Sequence, residues 1–127
     1  MSFPSDRKYS ESHEWYLVDG DVVTMGITQY AADELTDITY VELPEPGTPV
    51  DAGQPCGELE SVKATSDLCC AVGGEVVERN DELADQPEKV NEDAFGAGWM
   101  LKIRVADLSP LEKLMDAPAY EKHVAEA

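Results

Sequence analysis

The sequence is short of positive charge. Its 127 residues include 9 Lys and Arg against 27 Asp and Glu, which gives a formal net charge of −18. Because so few cations could neutralise phosphates, we exclude a nucleic-acid partner, and attraction to an anionic membrane surface is disfavoured for the same reason. The excess acid has two interpretations: a solvated coat for solubility, or a field that steers the protein toward basic partner enzymes.

Long apolar runs are missing too. None approaches the roughly 18 residues of a membrane-spanning helix. The first ten residues, MSFPSDRKYS, lack the apolar segment of a signal peptide, so we expect a cytoplasmic protein without a membrane partner. With 43% hydrophobic residues the chain should fold, and its length predicts a single domain over residues 1–127.

Metal and disulfide patterns are also lacking. The two histidines, His13 and His123, and the absence of CxxC or HExxH spacing indicate no metal site. Three cysteines, an odd number, do not indicate a disulfide framework. Cys69 and Cys70 could form a redox pair, but a bond between neighbouring cysteines is strained, so buried structural thiols are the favoured interpretation.

The residues that are present predict mainly β-structure. The segment EWYLVDGDVVTMGI contains two strand-like runs around Asp19-Gly20, a dipeptide typical of hairpin turns. The prolines in PEPGTP, residues 44–49, predict a rigid loop because proline cannot continue a ladder. Further strands are predicted over 37–43, 75–79 and 99–105.

Helical signals occur near the middle and at the end of the chain. A short helix is predicted over 28–35, with Thr28 as its N-cap. The polar stretch after residue 80 predicts a helical turn or two. A C-terminal helical segment of about 107–124 follows a β core of about 8–106, with Ser109 as N-cap and a break near Ala117-Pro118.

One lysine stands alone in the acidic part of the chain. Between Tyr9 and Glu78, Lys63 is the only Lys or Arg, while the same window holds fifteen Asp and Glu. Strand-like runs at 56–62 and 66–72 flank it. This arrangement predicts a tight hairpin with Lys63 at or beside its tip.

Three roles for Lys63 can be compared. A catalytic nucleophile or base has to be neutral, and the nearby acids Glu58, Glu60 and Asp67 favour the ammonium form instead. A lysine that protects a hairpin edge is common, but that role does not explain its isolation. Attachment fits best, because a lone primary amine at a hairpin tip is an unambiguous target for an acylating enzyme.

In the segment ESVKATSD, the residues Glu60, Ser61, Val62 and Ala64 flank Lys63. This segment resembles the lipoyl-lysine motif of the glycine cleavage system H-protein family. Biotin carriers usually place methionines beside the lysine, and acyltransferase lipoyl domains usually read DKA. The chain departs from the family at CCAVGG, 69–74, and at Thr36, where a glycine is usual. The resemblance also covers 9–15, 25–35, 40–47, 73–81, 90–105 and 116–123.

The resemblance implies both a fold and a function. The fold is a mainly β barrel-sandwich hybrid of two antiparallel sheets, the lipoyl-carrier fold. Lipoic acid, attached as N6-lipoyllysine at Lys63, would carry the aminomethyl group of glycine from the pyridoxal-phosphate-dependent decarboxylase (P-protein) to the tetrahydrofolate-dependent aminomethyltransferase (T-protein). Dihydrolipoyl dehydrogenase (L-protein) would reoxidise the arm, and lipoate-attaching enzymes would install it. The protein is then a carrier and not an enzyme, and we expect a monomer.

The resemblance also implies contacts to the loaded arm from Ser12, Glu14 and Asp67. The two carboxylates can bind the ammonium of the cargo, and the serine hydroxyl can accept a further hydrogen bond. The alternative is that Glu14 and Asp67 are ordinary surface acids. For the whole chain, one alternative is an H-like relay that supplies lipoyl groups to oxoacid dehydrogenases, and another is a β-domain with an unmodified lysine.

Overall fold

Nine strands in two antiparallel sheets make up most of the computed structural model, which describes residues 3–126. The strands are β1 Lys8–Tyr9, β2 Glu14–Asp19, β3 Val22–Ile27, β4 Ile38–Glu42, β5 Pro49–Val50, β6 Pro55–Ser61, β7 Thr65–Cys69, β8 Gly74–Arg79 and β9 Leu101–Arg104. The larger sheet has the order β1-β2-β3-β9-β8-β5, and the smaller has the order β4-β6-β7. The prediction of two antiparallel sheets is confirmed.

Five short helices connect and follow the strands. They are α1 Gln29–Leu35, α2 Glu82–Asp85, α3 Lys89–Glu92, α4 Ser109–Glu112 and α5 Ala117–Ala125. Thr28 caps α1 as predicted, with its hydroxyl accepting from the Ala31 amide at 3.2 Å. Within residues 3–126, none of the helices combines the length and the apolar character needed to cross a membrane.

The two sheets share one hydrophobic core. Val23, Met25 and Ile103 of the larger sheet and Leu59 and Leu68 of the smaller are all at most 1% exposed and belong to the same cluster. Burying side chains of this size stabilises the fold by about 1.5–3 kcal/mol each. The cluster fixes the hairpin β6-β7, and with it the position of Lys63, relative to the larger sheet.

A second cluster, largely aromatic, attaches α5 to the larger sheet. The rings of Tyr9 and Tyr120 stack with centroids 4.8 Å apart, and Phe3 meets Tyr120 edge-on at the same distance. The Tyr120 hydroxyl lies 2.7 Å from both Thr28 Oγ1 and His13 Nδ1. The C-terminal helix is thereby joined to the first turn of α1 and to the chain just before β2.

Three local predictions differ from the structure. Pro49 is not confined to a loop but begins β5 at the edge of the larger sheet, where a residue without an N–H is tolerated. Ser109 is already helical and is not the N-cap, because Asp107 Oδ1 accepts from its amide at 3.0 Å. The thiols are not uniformly buried, since Cys70 is buried whereas Cys56 and Cys69 are half-buried.

Candidate functional site

Lys63 lies in the turn of the β6-β7 hairpin, as the sequence predicts. The strand register pairs Glu60 with Thr65 and leaves the four residues 61–64 as the connection. The Ser61 amide donates to the Ala64 carbonyl at 2.8 Å. The Ser61 hydroxyl accepts from the amides of Lys63 and Ala64 at 3.1 and 3.0 Å. The backbone and one serine side chain therefore hold the tip closed.

The tip is open to solvent. Val62, Lys63 and Ala64 are all exposed, and Val62 is 67% exposed despite its apolar side chain. Lys63 Nζ donates to the Glu34 carbonyl at 3.3 Å, near the C-terminus of α1, where a cation is favourable. This exposed contact is weak enough to leave the amine accessible. The geometry suits acylation by another enzyme.

Three acidic residues lie in a row across the smaller sheet, which we call the acidic row: Glu42, Glu58 and Asp67. The register places Glu42 opposite Glu58 and Glu58 opposite Asp67. Leu59 is buried, so its neighbour Glu58 and both of its partners face outward. Like charges directly opposite destabilise a sheet. The acidic row therefore places Asp67 on the outer face of the hairpin whose turn carries Lys63.

Ser12 and Glu14 lie together at the start of β2. The hydroxyls of Ser12 and Ser10 both donate to Glu14 Oε1, at 2.5 and 2.7 Å. Glu14 is only 2% exposed, whereas Ser12 is exposed. Burial raises the pKa of Glu14, and the two hydroxyls partly oppose this increase. Glu14 is therefore not an ordinary surface acid, while for the exposed Asp67 that alternative remains.

Cys69 interacts with both Glu14 and Asp67, the two acids that the sequence predicts at the site. It follows Asp67 by two positions on β7, so both side chains point to the outer face. Its backbone amide acts on the Glu14 carboxylate and lowers the pKa of Glu14. Burial, and then the charges of Glu14 and Asp67, raise the pKa of the Cys69 thiol. The sequence predicts Cys69 only as a structural thiol, because no local pattern indicates that it lies beside Glu14.

His13 sets the turn that presents Ser12. Its φ of 72° lies in the left-handed region, and its amide donates to the Ser10 carbonyl at 3.1 Å. Burial, followed by the nearby His123, lowers the pKa of His13. From the sequence, His13 enters only the argument against a metal site, and its role in this turn has no local signal. Its contact to Tyr120 instead ties the Ser12 turn to α5.

Comparisons with known proteins agree in sequence and in fold. A family model described as "Glycine cleavage H-protein" matches residues 7–127. A glycine cleavage system H protein of Marinobacter nauticus is 51% identical over 123 residues, 96% of this chain and 95% of the relative. One from Pseudoalteromonas translucida is 49% identical over 126 residues, 98% of each. The crystal structure of a glycine cleavage system H protein from Mycobacterium marinum matches with a TM-score of 0.89 at 36% identity, covering 97% of this chain and 99% of that one.

Proposed function

The chain belongs to the glycine cleavage H-protein family, and we propose that it carries lipoic acid as N6-lipoyllysine on Lys63. The fold is that of this family, so the predicted lipoyl-carrier architecture is confirmed. The observation that carries the proposal is the exposed amine of Lys63 at a closed hairpin tip. Acylation would remove the charge of this amine and its contact to Glu34.

The residues beside Lys63 have distinct tasks in this proposal. Ser61 holds the turn, as its hydrogen bonds to Lys63 and Ala64 show. Val62 offers an exposed apolar surface to an attaching enzyme, and Glu60 adds a carboxylate on the outer face of β6. These flanking groups present the amine at the tip. Recognition then depends on the shape of the tip.

The length of the arm suits the distance along β7. When attached, the lipoyl group supplies a disulfide that accepts the aminomethyl group and is itself reduced. Lysine plus lipoyl reaches on the order of 14 Å when extended. Counted from Lys63, about 14 Å corresponds to four residues at about 3.4 Å each and ends at Asp67 on β7. An arm lying along the outer face of β7 would therefore bring its cargo near Asp67.

Ser12, Glu14 and Asp67 are proposed to hold the loaded arm. Asp67 and Ser12 are exposed and can bind an ammonium directly. Glu14 lies beneath the Ser12 hydroxyl, so it acts through that hydroxyl or after the serine side chain rotates. An arm without cargo has no cation to offer these groups. The cargo therefore favours a held arm, whereas the empty arm is free to move.

The family is named for the glycine cleavage system. We propose that the individual partners of this chain are the components of that system. They are the P-protein, T-protein and L-protein, together with lipoate-attaching enzymes. In this role the chain is a shared substrate and not an enzyme. The lipoate-relay alternative is not favoured, because the relatives compared above are named for glycine cleavage. The single domain over 1–127, the monomeric state and the cytoplasmic location remain predictions.

The proposal is tested by intact mass of the protein from its native cell, followed by peptide mapping. One lipoyl group on Lys63 is expected. Lys63→Arg keeps the charge but has no acylatable amine, so it should fold normally and carry no lipoate. Lys102→Arg serves as the control and should remain lipoylated. Lipoate on Lys8 or Lys102 of the wild-type chain, or an unmodified native protein, would overturn the proposal.

A further inference from the structure

We propose that Asn91, on α3, is a positioning residue that holds the lysine hairpin in the geometry that lipoate-attaching enzymes recognise. The inference rests on the proposed lipoylation of Lys63 and adds a residue remote from the motif. Asn91 does not contact the tip. It acts through a segment defined here as the support segment, residues 34–38, which links the end of α1 to the start of β4.

The Asn91 side chain binds the support segment at Thr36 and Ile38 and also binds α1 at Ala32. Its Nδ2 donates to the Thr36 carbonyl at 2.6 Å and to the Ala32 carbonyl at 3.3 Å. Its Oδ1 accepts from the Ile38 amide at 2.9 Å. A backbone amide can only donate, so the orientation of the Asn91 amide is fixed by its partners. One side chain therefore satisfies a helix-terminal carbonyl of α1 and the first amide of β4.

Thr36 has an unfavourable backbone conformation, which the hydrogen bonds from Asn91 help to maintain. Its φ of 62° and ψ of −143° lie in a region that residues with a Cβ rarely adopt. Such a conformation persists only where surrounding contacts impose it. The hydrogen bond from Asn91 to the Thr36 carbonyl is one such contact, and the Thr36 amide makes another to the Asp33 carbonyl at 3.3 Å.

The support segment in turn contacts three successive residues of the tip, namely Ser61, Val62 and Lys63. Ile38 pairs with Ser61 in the sheet. The Asp37 carbonyl accepts from the Val62 amide at 3.1 Å. The Glu34 carbonyl accepts from Lys63 Nζ at 3.3 Å. Release of Thr36 would turn the peptide that carries the Asp37 carbonyl, and the Val62 amide would lose its partner.

Gln29 fixes α3 itself against α1. Its Nε2 donates to the Asn91 carbonyl at 2.7 Å, and its Oε1 accepts from the Ala94 amide at 3.3 Å. The backbone that carries Asn91 is thus anchored independently of its side chain. Removing the Asn91 amide should loosen the support segment while leaving α3 in place.

Asn80 supplies a matched control. It is a 5% exposed asparagine whose Nδ2 donates to the carbonyls of Ala97 and Trp99 at 2.9 and 2.8 Å. Its Oδ1 accepts from the Glu82 amide at 3.3 Å. None of these partners contacts the tip. Asn80→Ala therefore removes a comparable set of hydrogen bonds and reports on general loss of stability.

The experiment measures the rate of lipoylation of purified full-length variants by a lipoate-attaching enzyme, using intact mass, at a temperature where circular dichroism shows each variant folded. Asn91→Ala is expected to lower kcat/KM by about tenfold or more, as small displacements of a reacting group can. Hydrogen exchange at the Val62 amide should accelerate in the same variant. Asn80→Ala should leave both quantities at wild-type values.

Two further variants keep the test decisive. Asn91→Asp is used if Asn91→Ala does not fold. It retains an acceptor for the Ile38 amide but cannot donate to the Thr36 carbonyl, so it should also slow lipoylation. Thr36→Gly in the Asn91→Ala background should restore much of the rate, because glycine adopts a positive φ without strain.

The outcomes separate this inference from the proposed function. Equal rates for wild type and Asn91→Ala, or equal slowing by Asn80→Ala, would overturn the positioning role alone. A wild-type chain that takes no lipoate on Lys63 would overturn the proposed function, and the inference with it.

Discussion

Glu14 shows at the residue scale how a single side chain combines structure and chemistry. The residue is 2% exposed, and its carboxylate accepts from the hydroxyls of Ser10 and Ser12. Burial raises its pKa above the value of about 4.3 expected in an unfolded chain. A raised folded-state pKa contributes stability below the unfolded pKa. That contribution is lost as pH increases through the folded pKa.

Glu14→Gln should remove this pH dependence. Glutamine is neutral at every pH, and its Oε1 can still accept from both serine hydroxyls. Relative to the variant, the wild-type protein should lose free energy of unfolding as pH increases from about 4, the unfolded pKa of glutamate, toward neutrality. Urea unfolding at several pH values measures the difference. Glu11→Gln, at an exposed neighbouring position, is the control, and curves for Glu14→Gln that run parallel to wild type would contradict the prediction.

A second residue-scale prediction concerns the cargo. Glu14→Ala and Asp67→Ala should each speed the release of ammonia from the isolated loaded protein, because each removes a carboxylate that favours the ammonium form. A charge-assisted hydrogen bond of about 1.5–3 kcal/mol corresponds to about tenfold or more in rate. Lipoylation of Lys63 should be unchanged. If both variants release ammonia at the wild-type rate, these residues do not hold the arm.

At the element scale, two adjacent glycines at the start of β8 differ in the space available for a side chain. A Cβ at Gly74 would overlap the Arg104 carbonyl oxygen and approach Ile103 Cγ2 to 3.0 Å, whereas one at Gly73 would meet nothing closer than 3.5 Å. Gly74→Ala should therefore push β8 from β9 and cost about 2–3 kcal/mol in unfolding free energy. Gly73→Ala should stay within about 0.5 kcal/mol of wild type. Urea unfolding compares them, and equal midpoints would show that β8 accommodates the methyl group.

Elements with local signals were predictable from the sequence. The sequence predicts the hairpin that carries Lys63 because two strand-like runs flank a three-residue gap. The hairpin and its turn are confirmed, but the second strand ends at Cys69 and does not reach residue 72. The sequence also predicts the start of α1, because Thr28 supplies its own capping hydroxyl. Each of these signals involves residues a few positions apart. These two elements can therefore be predicted without knowledge of the tertiary structure.

Features that depend on distant partners were not predictable in this way. β1 exists because Lys8 and Tyr9 pair with β2, and Pro49 enters the larger sheet because β8 lies beside it. The burial of Glu14 and the contacts of Asn91 likewise join segments far apart in the sequence. No local pattern distinguishes a buried glutamate from an exposed one in so acidic a chain. The acidic row needs the register of three strands before it becomes visible.

On the scale of the whole molecule, the acidic surface is largely without compensating cations. Among residues 3–126, five ion pairs form, each with one acidic partner, although the full sequence contains 27 Asp and Glu. Glu42, Glu58 and Asp67 face one another on the smaller sheet. Such a field raises the encounter rate with basic surfaces and weakens the compact state through self-repulsion. Both effects should decrease as salt is added.

The melting temperature should therefore rise as NaCl increases from low concentration to roughly 0.5 M, because the Debye length falls well below its value of about 10 Å at 0.1 M. Glu58 sits at the centre of the acidic row, so Glu58→Gln should melt higher than wild type at low salt and respond less to NaCl. Glu121→Gln removes the same charge from an exposed position on α5 and should keep a nearly wild-type salt response. Differential scanning calorimetry across the salt series measures all three proteins. A flat or falling wild-type curve would mean that the acidic groups are far enough apart for repulsion not to limit stability, and identical slopes for the two variants would mean that the row has no special share in it.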